Sequence, residues 1–312
     1  MKGKKEIQLA NFNCTFGTVE ENASPMLEYF SEIIYPAFKR KKKYRVFFFD
    51  DIKIGENNKI GYYLYGKIIK DTTLEVKSRY DWDKEELIDT DEKYRSSPFS
   101  EFILMLNNHR LLFIPGTKGH PRLSSIKTLL KNNIKKVTKE HNKKSLPEEE
   151  FPPIYTFDII EIPKKTNVLK DIEKFEEIKS FSLEFMKLNP EPLAGMLQNI
   201  DLIRKKCGSK SSKYTMQNPT EKEVIAKIIQ ESDGLANFSM VARKKEDVKP
   251  VEYKNDNFKE IRELLLPEHE TLENNINLAI DDSFNDSRIN SAKKAKKSLY
   301  EKAVEKIKTL IS

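Results

Sequence analysis

The chain contains few of the residues that build metal and redox centres. It has two cysteines and four histidines among 312 residues. Cys14 and Cys207 have no partners at metal-ligand spacing, so a structural zinc site is not expected. We interpret both cysteines as free thiols.

Complete nucleotide-hydrolase motifs are also missing. Residues 116–119 and 208–212 resemble fragments of phosphate-binding loops, but neither contains the full Gly-x-x-x-x-Gly-Lys-Ser/Thr pattern. The Gly-x-Ser-x-Gly pattern of serine hydrolases and the set of protein-kinase motifs do not occur. The sequence therefore argues against these enzyme classes.

Long apolar runs are absent. The mean hydropathy is −0.64, and no apolar stretch approaches the length needed to span a bilayer. The first eight residues are charged and lack the apolar core of a secretory leader. We therefore expect a cytoplasmic protein that does not bind membranes.

Charge is plentiful and unevenly distributed. The net charge is +7, but residues 118–144 carry nine lysines and arginines against one glutamate, and residues 81–92 carry seven carboxylates against one lysine. Such polarity favours a polyanionic partner at one face. The competing interpretation is that the abundance of lysine and asparagine reflects the codon usage of an AT-rich genome and not a binding function. We expect an intracellular bacterial or mobile-element protein.

The pattern of apolar residues predicts an α+β protein of two lobes. Each lobe is expected to be an antiparallel sheet, ferredoxin-like or a meander, with helices packed on one face. Residues 44–79 predict three strands joined by polar turns, and residues 123–140 predict a basic helix with one apolar stripe. The acidic segment 80–92 is expected to be a surface loop or short helix.

Three segments are expected along the chain. Residues 1–147 form an N-terminal lobe with the central meander and the basic helix, and the polar, proline-bearing stretch after them predicts a boundary. Residues 148–256 form a C-terminal ferredoxin-like lobe. Residues 257–312 form a helical extension, in which residues 291–312 are a candidate for self-association or contact with a partner protein.

One spacing resembles a catalytic constellation. Asp51, Glu75 and Lys77 have the order found in PD-(D/E)xK nucleases, in which two carboxylates hold Mg²⁺ and a lysine assists the attacking water. The period of two along a strand places Glu75 and Lys77 on one face. Asp51 and Glu75 are therefore the candidate metal ligands, and no cofactor is expected if the protein is not a nuclease. The competing interpretation is a charged edge strand.

Histidines offer a second catalytic alternative. His109 falls in a predicted hairpin turn and His120 in a loop, where either could act as a general acid or base in a metal-independent ribonuclease. We favour the interpretation of both as surface histidines.

Nucleic-acid binding is indicated by basic residues in four separate segments, 39–45, 123–140, 204–213 and 293–297. The candidate residues are Lys41, Lys42, Lys43 and Arg45, then Lys127, Lys131, Lys135 and Lys136, then Lys210 and Lys213. Tyr62, Tyr63 and Tyr65 are candidates for base stacking on an exposed sheet, although a core position is the favoured interpretation.

Three functional hypotheses follow. The first is a protein that binds DNA or RNA through a basic face, for which a role in defence against phage would be suitable. The second is the Mg²⁺-dependent nuclease. The third is a non-catalytic subunit of a multiprotein complex.

Overall fold

A computed structural model describes residues 2–17, 24–41, 46–116, 118–145, 155–186, 196–209, 211–245, 247, 249–267, 272–290 and 297–311. Within these ranges the protein is a mixed α/β molecule with three antiparallel sheets. No helix in the described ranges combines the length and the apolar character needed to cross a membrane.

The strands fall into a large sheet, a small sheet and an isolated pair. In chain order they are β1 Lys2–Phe16, β2 Ser24–Pro25, β3 Phe47–Asn57, β4 Gly61–Lys70, β5 Thr72–Asp81, β6 Glu86–Ser96, β7 Phe99–Met105, β8 Arg110–Ile114, β9 Tyr155–Glu161, β10 Phe175–Met186, β11 Ser211–Gln217, β12 Asn237–Lys244, β13 Val251–Lys254 and β14 Ile261–Pro267.

The helices connect or cover these strands. They are α1 Tyr35–Lys39, α2 Leu123–Ser145, α3 Val168–Glu173, α4 Met196–Lys206, α5 Lys222–Glu231, α6 Leu272–Phe284, α7 Ser287–Asn290 and α8 Lys297–Ile311. Two single turns, Met26–Tyr29 and Phe30–Ile34, run into α1.

The large sheet is organised around β1. Its order is β14-β1-β8-β7-β4-β3, and β9 extends the β14 side because it pairs with the second half of β1. Gln8 is opposite Ile261 on one side and Phe113 on the other, so the middle of β1 has a neighbour along both edges. From Ile7 to Phe16, β1 is therefore almost wholly buried.

Helices cover both faces of the large sheet. One face carries alternate residues of β1, such as Phe12 and Phe16, and packs against α1, α2 and α8. The other face carries Leu9 and packs against Ile276 and Ile280 of α6. The expectation that helices would pack on one face only is therefore wrong for this sheet, because α6 supplies a second apolar layer.

The second lobe, residues 168–254, contains the small sheet in the order β11-β10-β12-β13. Its apolar face packs against α3 and α5, with Phe181 and Met240 fully buried. The ferredoxin-like plan is not confirmed. In that plan the two strands joined by a helix are parallel and separated by another strand, whereas β10 and β11, which α4 joins, are antiparallel neighbours, and β9 belongs to the large sheet instead.

The predicted meander forms only in part. β3 and β4 pair as expected, but β4 then pairs with β7, and β5 pairs with β6. Residues 72–96 thus form a two-stranded ribbon, which we call the arm. The acidic segment predicted as a loop or helix is the end of this arm, because Tyr80 continues a strand that pairs with Leu87.

The region after residue 257 is not wholly helical. β14 pairs with the first half of β1, so the chain returns to the large sheet after the second lobe. The apolar stripe of α8 docks on the same sheet, where Ala303 and Ile307 are buried in the core. The middle of this stripe is therefore covered within the chain, whereas Leu310 is 40% exposed. Self-association through residues 291–312 stays a prediction.

Candidate nucleic-acid interface

A cleft of about 920 Å³ lies between the first half of α2, strand β9 and the polar face of the small sheet. We call it the interlobe cleft. The predicted apolar stripe of α2 is confirmed, because Ile126, Leu130 and Ile134 are fully buried against the large sheet. That packing turns Lys127 and Lys131 toward the cleft.

The strand period of two creates the polar wall of the cleft. Phe181, Leu183 and Phe185 of β10 face the core of the second lobe, whereas the intervening Ser182 and Glu184 line the cleft. Ser182 also forms a 2.9 Å hydrogen bond with Thr215 on β11. The small sheet therefore presents a hydroxyl-rich, charged surface without an exposed aromatic platform.

Three of the ten predicted nucleic-acid-binding residues meet in this cleft. Lys127 and Lys131 come from α2, and Lys213 comes from β11 in the other lobe. Of the other seven, Lys41 forms an ion pair with Asp50, and Lys135 and Lys136 lie further along α2. Lys42, Lys43, Arg45 and Lys210 lie outside the described residues.

A buried carboxylate anchors Lys127. The side chain of Asp158 on β9 is 3% exposed and forms an ion pair with Lys127. Asn237 of the second lobe donates a 2.7 Å hydrogen bond to Asp158 Oδ2, and the amide of Ile159 donates one of 2.8 Å to Oδ1. Asp158 thus joins α2, β9 and the small sheet at one point.

Glu161 lies three residues after Asp158 on β9 and also lines the cleft. Burial raises the pKa of its carboxyl, and this effect outweighs the attraction of Lys127 and Lys259. A carboxyl group of this kind accepts a proton more readily than an exposed glutamate.

The overall charge of the cleft is close to balanced. Six lysines and arginines line it, together with five carboxylates. Lys127 is engaged by Asp158, and Lys254 lies 2.9 Å from Glu252. Arg122, Lys131 and Lys213 are exposed, and the structure shows no ion pair for them within the described part of the chain. The sixth cation, Lys259, is half-buried, so Arg122, Lys131 and Lys213 are the exposed cations available for phosphate contacts.

The structure places His120 and His109 in different environments. His120 is half-buried at the cleft, where its Nδ1 lies 2.8 Å from the carbonyl oxygen of Pro121 and 3.1 Å from Ser100 Oγ. Donation from Nδ1 to that carbonyl leaves Nε2 as the acceptor of the neutral ring. The interpretation of His109 as a surface histidine is wrong, because its side chain is buried in the turn between β7 and β8.

The residues of the nuclease pattern are not brought together. Asp51 lies at a bulge in β3, where Lys53 and Lys67 approach its carboxylate to 3.0 and 3.8 Å. Glu75 lies in the arm, 3.2 Å from Lys93, and Lys77 is exposed on the same strand. From Lys67, the neighbour of Asp51, the extended chain covers roughly 25 Å before it reaches Glu75.

The geometry gives the nuclease pattern no support. Asp51 is paired with a lysine of the large sheet, and Glu75 is paired with a lysine of the arm. The expected pairing of these two carboxylates around Mg²⁺ is therefore not formed. In the described ranges, no three side chains of His, Cys, Asp or Glu gather into a metal-binding group. The assignment of Asp51 and Glu75 as metal ligands stays a prediction.

The tyrosines of β4 form core, as favoured from the sequence. Tyr63 and Tyr65 pack on the α6 side of the large sheet, and Tyr62 packs on the α8 side. All three are less than 9% exposed, so base stacking on this strand is excluded.

Sequence reasoning missed Asp158, Glu161 and Asn237. A signal for the first two existed, since β9 reads Tyr-Thr-Phe-Asp-Ile-Ile-Glu, and a carboxylate within an apolar strand requires a partner if it is buried. Nothing in the local sequence identified Lys127 as that partner, because the contact depends on how α2 crosses β9.

No protein-family model matches the chain, and no curated protein matches it significantly.

Proposed function

We propose that the protein binds single-stranded nucleic acid in the interlobe cleft. The observation that carries this proposal is the convergence of Arg122 and Lys131 from one lobe and Lys213 from the other on a single cleft. Cations that project from concave walls suit a flexible phosphate chain, because such a chain enters a cleft that a rigid duplex does not.

The chemistry of the cleft defines the mode of binding. Three exposed cations supply about three phosphate contacts, and the hydroxyls of Ser182 and Ser239 offer hydrogen bonds. The aromatic side chains at the cleft, such as Phe157 and Phe238, are buried, so stacking contributes little. Binding is therefore weakly dependent on sequence, and the logarithm of the association constant falls with the logarithm of salt concentration with a slope of about −2.

The test is fluorescence anisotropy with labelled single-stranded RNA and DNA over a salt series. The double variant Lys131→Ala/Lys213→Ala is expected to bind about tenfold or more weakly, with a slope reduced in magnitude by about 1.4. The matched control is Lys302→Ala/Lys308→Ala, which removes two exposed lysines from α8, away from the cleft. Equal affinities and slopes for the two double variants would contradict the proposal.

A second candidate function is metal-independent cleavage of RNA in the same cleft. The observation that favours it is the presence of His120 and of Glu161, whose pKa is raised by burial, along one cleft. In such a site Nε2 of His120 would accept a proton as the general base, and the carboxyl of Glu161, whose protonated form burial favours, would donate one as the general acid.

Cleavage in the presence of a chelator tests this candidate. His120→Ala and Glu161→Gln are each expected to lower the rate by about 10²-fold or more. His141→Ala is the control, because His141 lies on α2 outside the cleft, near the ring of Tyr29. Absence of cleavage by the unaltered protein, or cleavage only with added Mg²⁺, would eliminate it.

A further inference from the structure

A buried amide of the large sheet lines the interlobe cleft without a hydrogen-bond partner. Gln8 on β1 is 8% exposed and lines the cleft. Its neighbours Ile7 and Leu9 belong to the apolar layer under α6, so the alternation of β1 turns Gln8 to the opposite face, where α2 lies. Within the described residues the structure shows no hydrogen bond for the carboxamide of Gln8. An amide in such a position is costly unless a solvent or ligand group satisfies it.

A carboxyl group lies beside Gln8 on the same face of the sheet. Glu161, the last residue of β9, is paired with Ala10, which follows Gln8 by two residues on β1. Paired residues share a face, and so do residues two apart on one strand, so Gln8 and Glu161 are diagonal neighbours. The backbones of such neighbours are roughly 7–8 Å apart. Because Glu161 also lines the cleft, two polar groups converge at this end of it.

The surroundings of Gln8 suit an uncharged organic group better than a phosphate. Gln8 is flanked by Phe113 on β8 and by Ile261 on β14, and Ile261 is 46% exposed, so apolar surface borders the carboxamide. A phosphate placed here would meet the carboxyl of Glu161, whereas a nucleobase carries no charge. The edge of a base is therefore the part of a nucleic acid that fits this end of the cleft.

The carboxamide of Gln8 matches a base edge that has one donor beside one acceptor. Cytosine and adenine present an exocyclic amine beside a ring nitrogen, so the amide can donate to the ring nitrogen and accept from the amine. A rotated carboxamide would serve uracil as well, by donating to O4 and accepting from N3–H. Gln8 alone therefore does not distinguish an amino base from a keto base.

Glu161 supplies the distinction. The exocyclic amine keeps a second N–H after it has bonded to Gln8, and a carboxyl oxygen of Glu161 can accept it. The keto oxygen of uracil in the same place would face the carboxylate oxygens without a proton between them. A site rejects a base of similar shape when binding leaves buried polar atoms unpaired.

We propose that Gln8 and Glu161 bind the edge of one unpaired base and select cytosine or adenine over uracil. This inference rests on the proposed binding of single-stranded nucleic acid in the interlobe cleft and assigns a specificity to it. The phosphate contacts of Arg122, Lys131 and Lys213 carry no sequence information, so the preference arises at one position of the strand. Single-stranded RNA is commonly read through base edges in this way.

Oligo(C) and oligo(U) of about 12 nucleotides test the proposal, because they share a backbone and differ only in the base edge. Fluorescence anisotropy at pH 8, which favours the ionised form of Glu161, is expected to show that oligo(C) binds about tenfold more tightly. Equal affinities would overturn the selection by Gln8 and Glu161 and leave the proposed function intact. Binding of neither oligonucleotide would overturn both.

Two variants test the two side chains separately. Glu161→Gln keeps the size of the side chain but can donate to a keto oxygen, so the affinities for the two oligonucleotides are expected to come within about twofold of each other. Gln8→Met keeps an unbranched side chain in the buried position and is expected to weaken oligo(C) at least fivefold and oligo(U) no more than about twofold. A tenfold preference that survives in Glu161→Gln would contradict the proposal.

Gln198→Met is the matched control, because Gln198 is exposed on α4 and does not line the cleft. It is expected to leave both affinities and their ratio unaltered. An equal loss of preference in Gln198→Met and Gln8→Met would contradict the role of Gln8. Circular dichroism shows whether each variant keeps the fold, and Glu161→Gln still tests the proposal if Gln8→Met does not.

Discussion

Lys127 on α2 and Asp158 on β9 form an ion pair at the wall of the interlobe cleft, and Asn237 of the second lobe binds the same carboxylate. The Asp158 side chain is almost wholly buried, whereas Lys127 is partly exposed. The pair therefore links the stability of the lobe contact to the electrostatics of the proposed binding site.

Removal of the Lys127 cation alone is expected to lower the free energy of unfolding more than removal of both charges of the pair. Lys127→Met leaves a buried carboxylate without its cation and should lower the free energy of unfolding by about 1–3 kcal/mol. Adding Asp158→Asn to that variant removes the uncompensated charge and should recover part of the loss. Urea denaturation of the two single variants and the double variant measures the coupling, and strict additivity would show that the pair is energetically unimportant.

Asp286 is the centre of a second ion-pair network. Its side chain is fully buried and lies 2.7 Å from both Arg262 and Arg288 and 3.1 Å from Lys165. Burial acts to raise the pKa of Asp286, but hydrogen bonds from Arg288 and Lys165 outweigh it and hold the pKa well below its ordinary value. Asp286→Asn is expected to lower the free energy of unfolding at neutral pH by about 3–5 kcal/mol.

The pH dependence of this effect has a definite sign. Because the folded-state pKa of Asp286 is lower than the unfolded value near 3.8, the carboxylate contributes its full stabilisation above that value. The contribution is lost as pH falls below it, so the difference between the unaltered protein and Asp286→Asn should shrink in acid. Urea titrations at neutral pH and near pH 3 test this, and a constant difference would be inconsistent with the network.

His109 also loses its contribution in acid, but because burial disfavours its charged form rather than because ion pairs favour a charged form. Burial, reinforced by Arg110, lowers the pKa of His109 to about 4. The unfolded chain therefore takes up a proton near pH 6.5 before the folded chain does, so stability decreases as pH falls from about 6.5 to 4. The full contribution of this group is about 3 kcal/mol.

The substitution that isolates this effect is His109→Asn. His109 has a φ of 58°, in the left-handed region, which asparagine tolerates better than most residues. The variant is expected to be less stable at neutral pH but to show a shallower loss of stability between pH 6.5 and 4. Unfolding free energies at several pH values measure the slope, and an unchanged slope would contradict the assignment.

The spacing of residues within a segment predicted helices and strands better than it predicted which strands pair with each other. The apolar stripe of α2 and the pairing of β3 with β4 follow from spacing within one segment, so they were accessible from the sequence. The pairing of β1 with β14 joins residues about 260 positions apart, and no local pattern encodes it. The same limit applies to the cleft, because Lys131 and Lys213 come together only once both lobes are placed.

The arm shows how a correctly predicted strand can be assigned to the wrong neighbouring strand. Alternation in β5 correctly indicated a strand, but the sequence did not reveal that β4 would choose β7 as its second neighbour. Once β7 occupies that edge, β5 is left to pair with β6 outside the large sheet. The acidic residues of β6 concealed a strand, because charged residues are uncommon in strands that pack on a core.

Tyr300 is expected to be the residue that fixes α8 on the large sheet. Its hydroxyl oxygen accepts a 2.8 Å hydrogen bond from the backbone amide of Tyr62, next to the turn at Gly61. A Cβ at Gly61 would lie 2.2 Å from that hydroxyl, so the turn and the helix fit closely. Tyr300→Phe leaves the amide of Tyr62 without this acceptor and should lower the free energy of unfolding by about 1–3 kcal/mol. Chemical denaturation measures the loss, and hydrogen exchange should accelerate at Tyr62 and along α8, whereas Tyr94→Phe, a change of the same kind in the exposed arm, should leave the exchange of α8 unaltered.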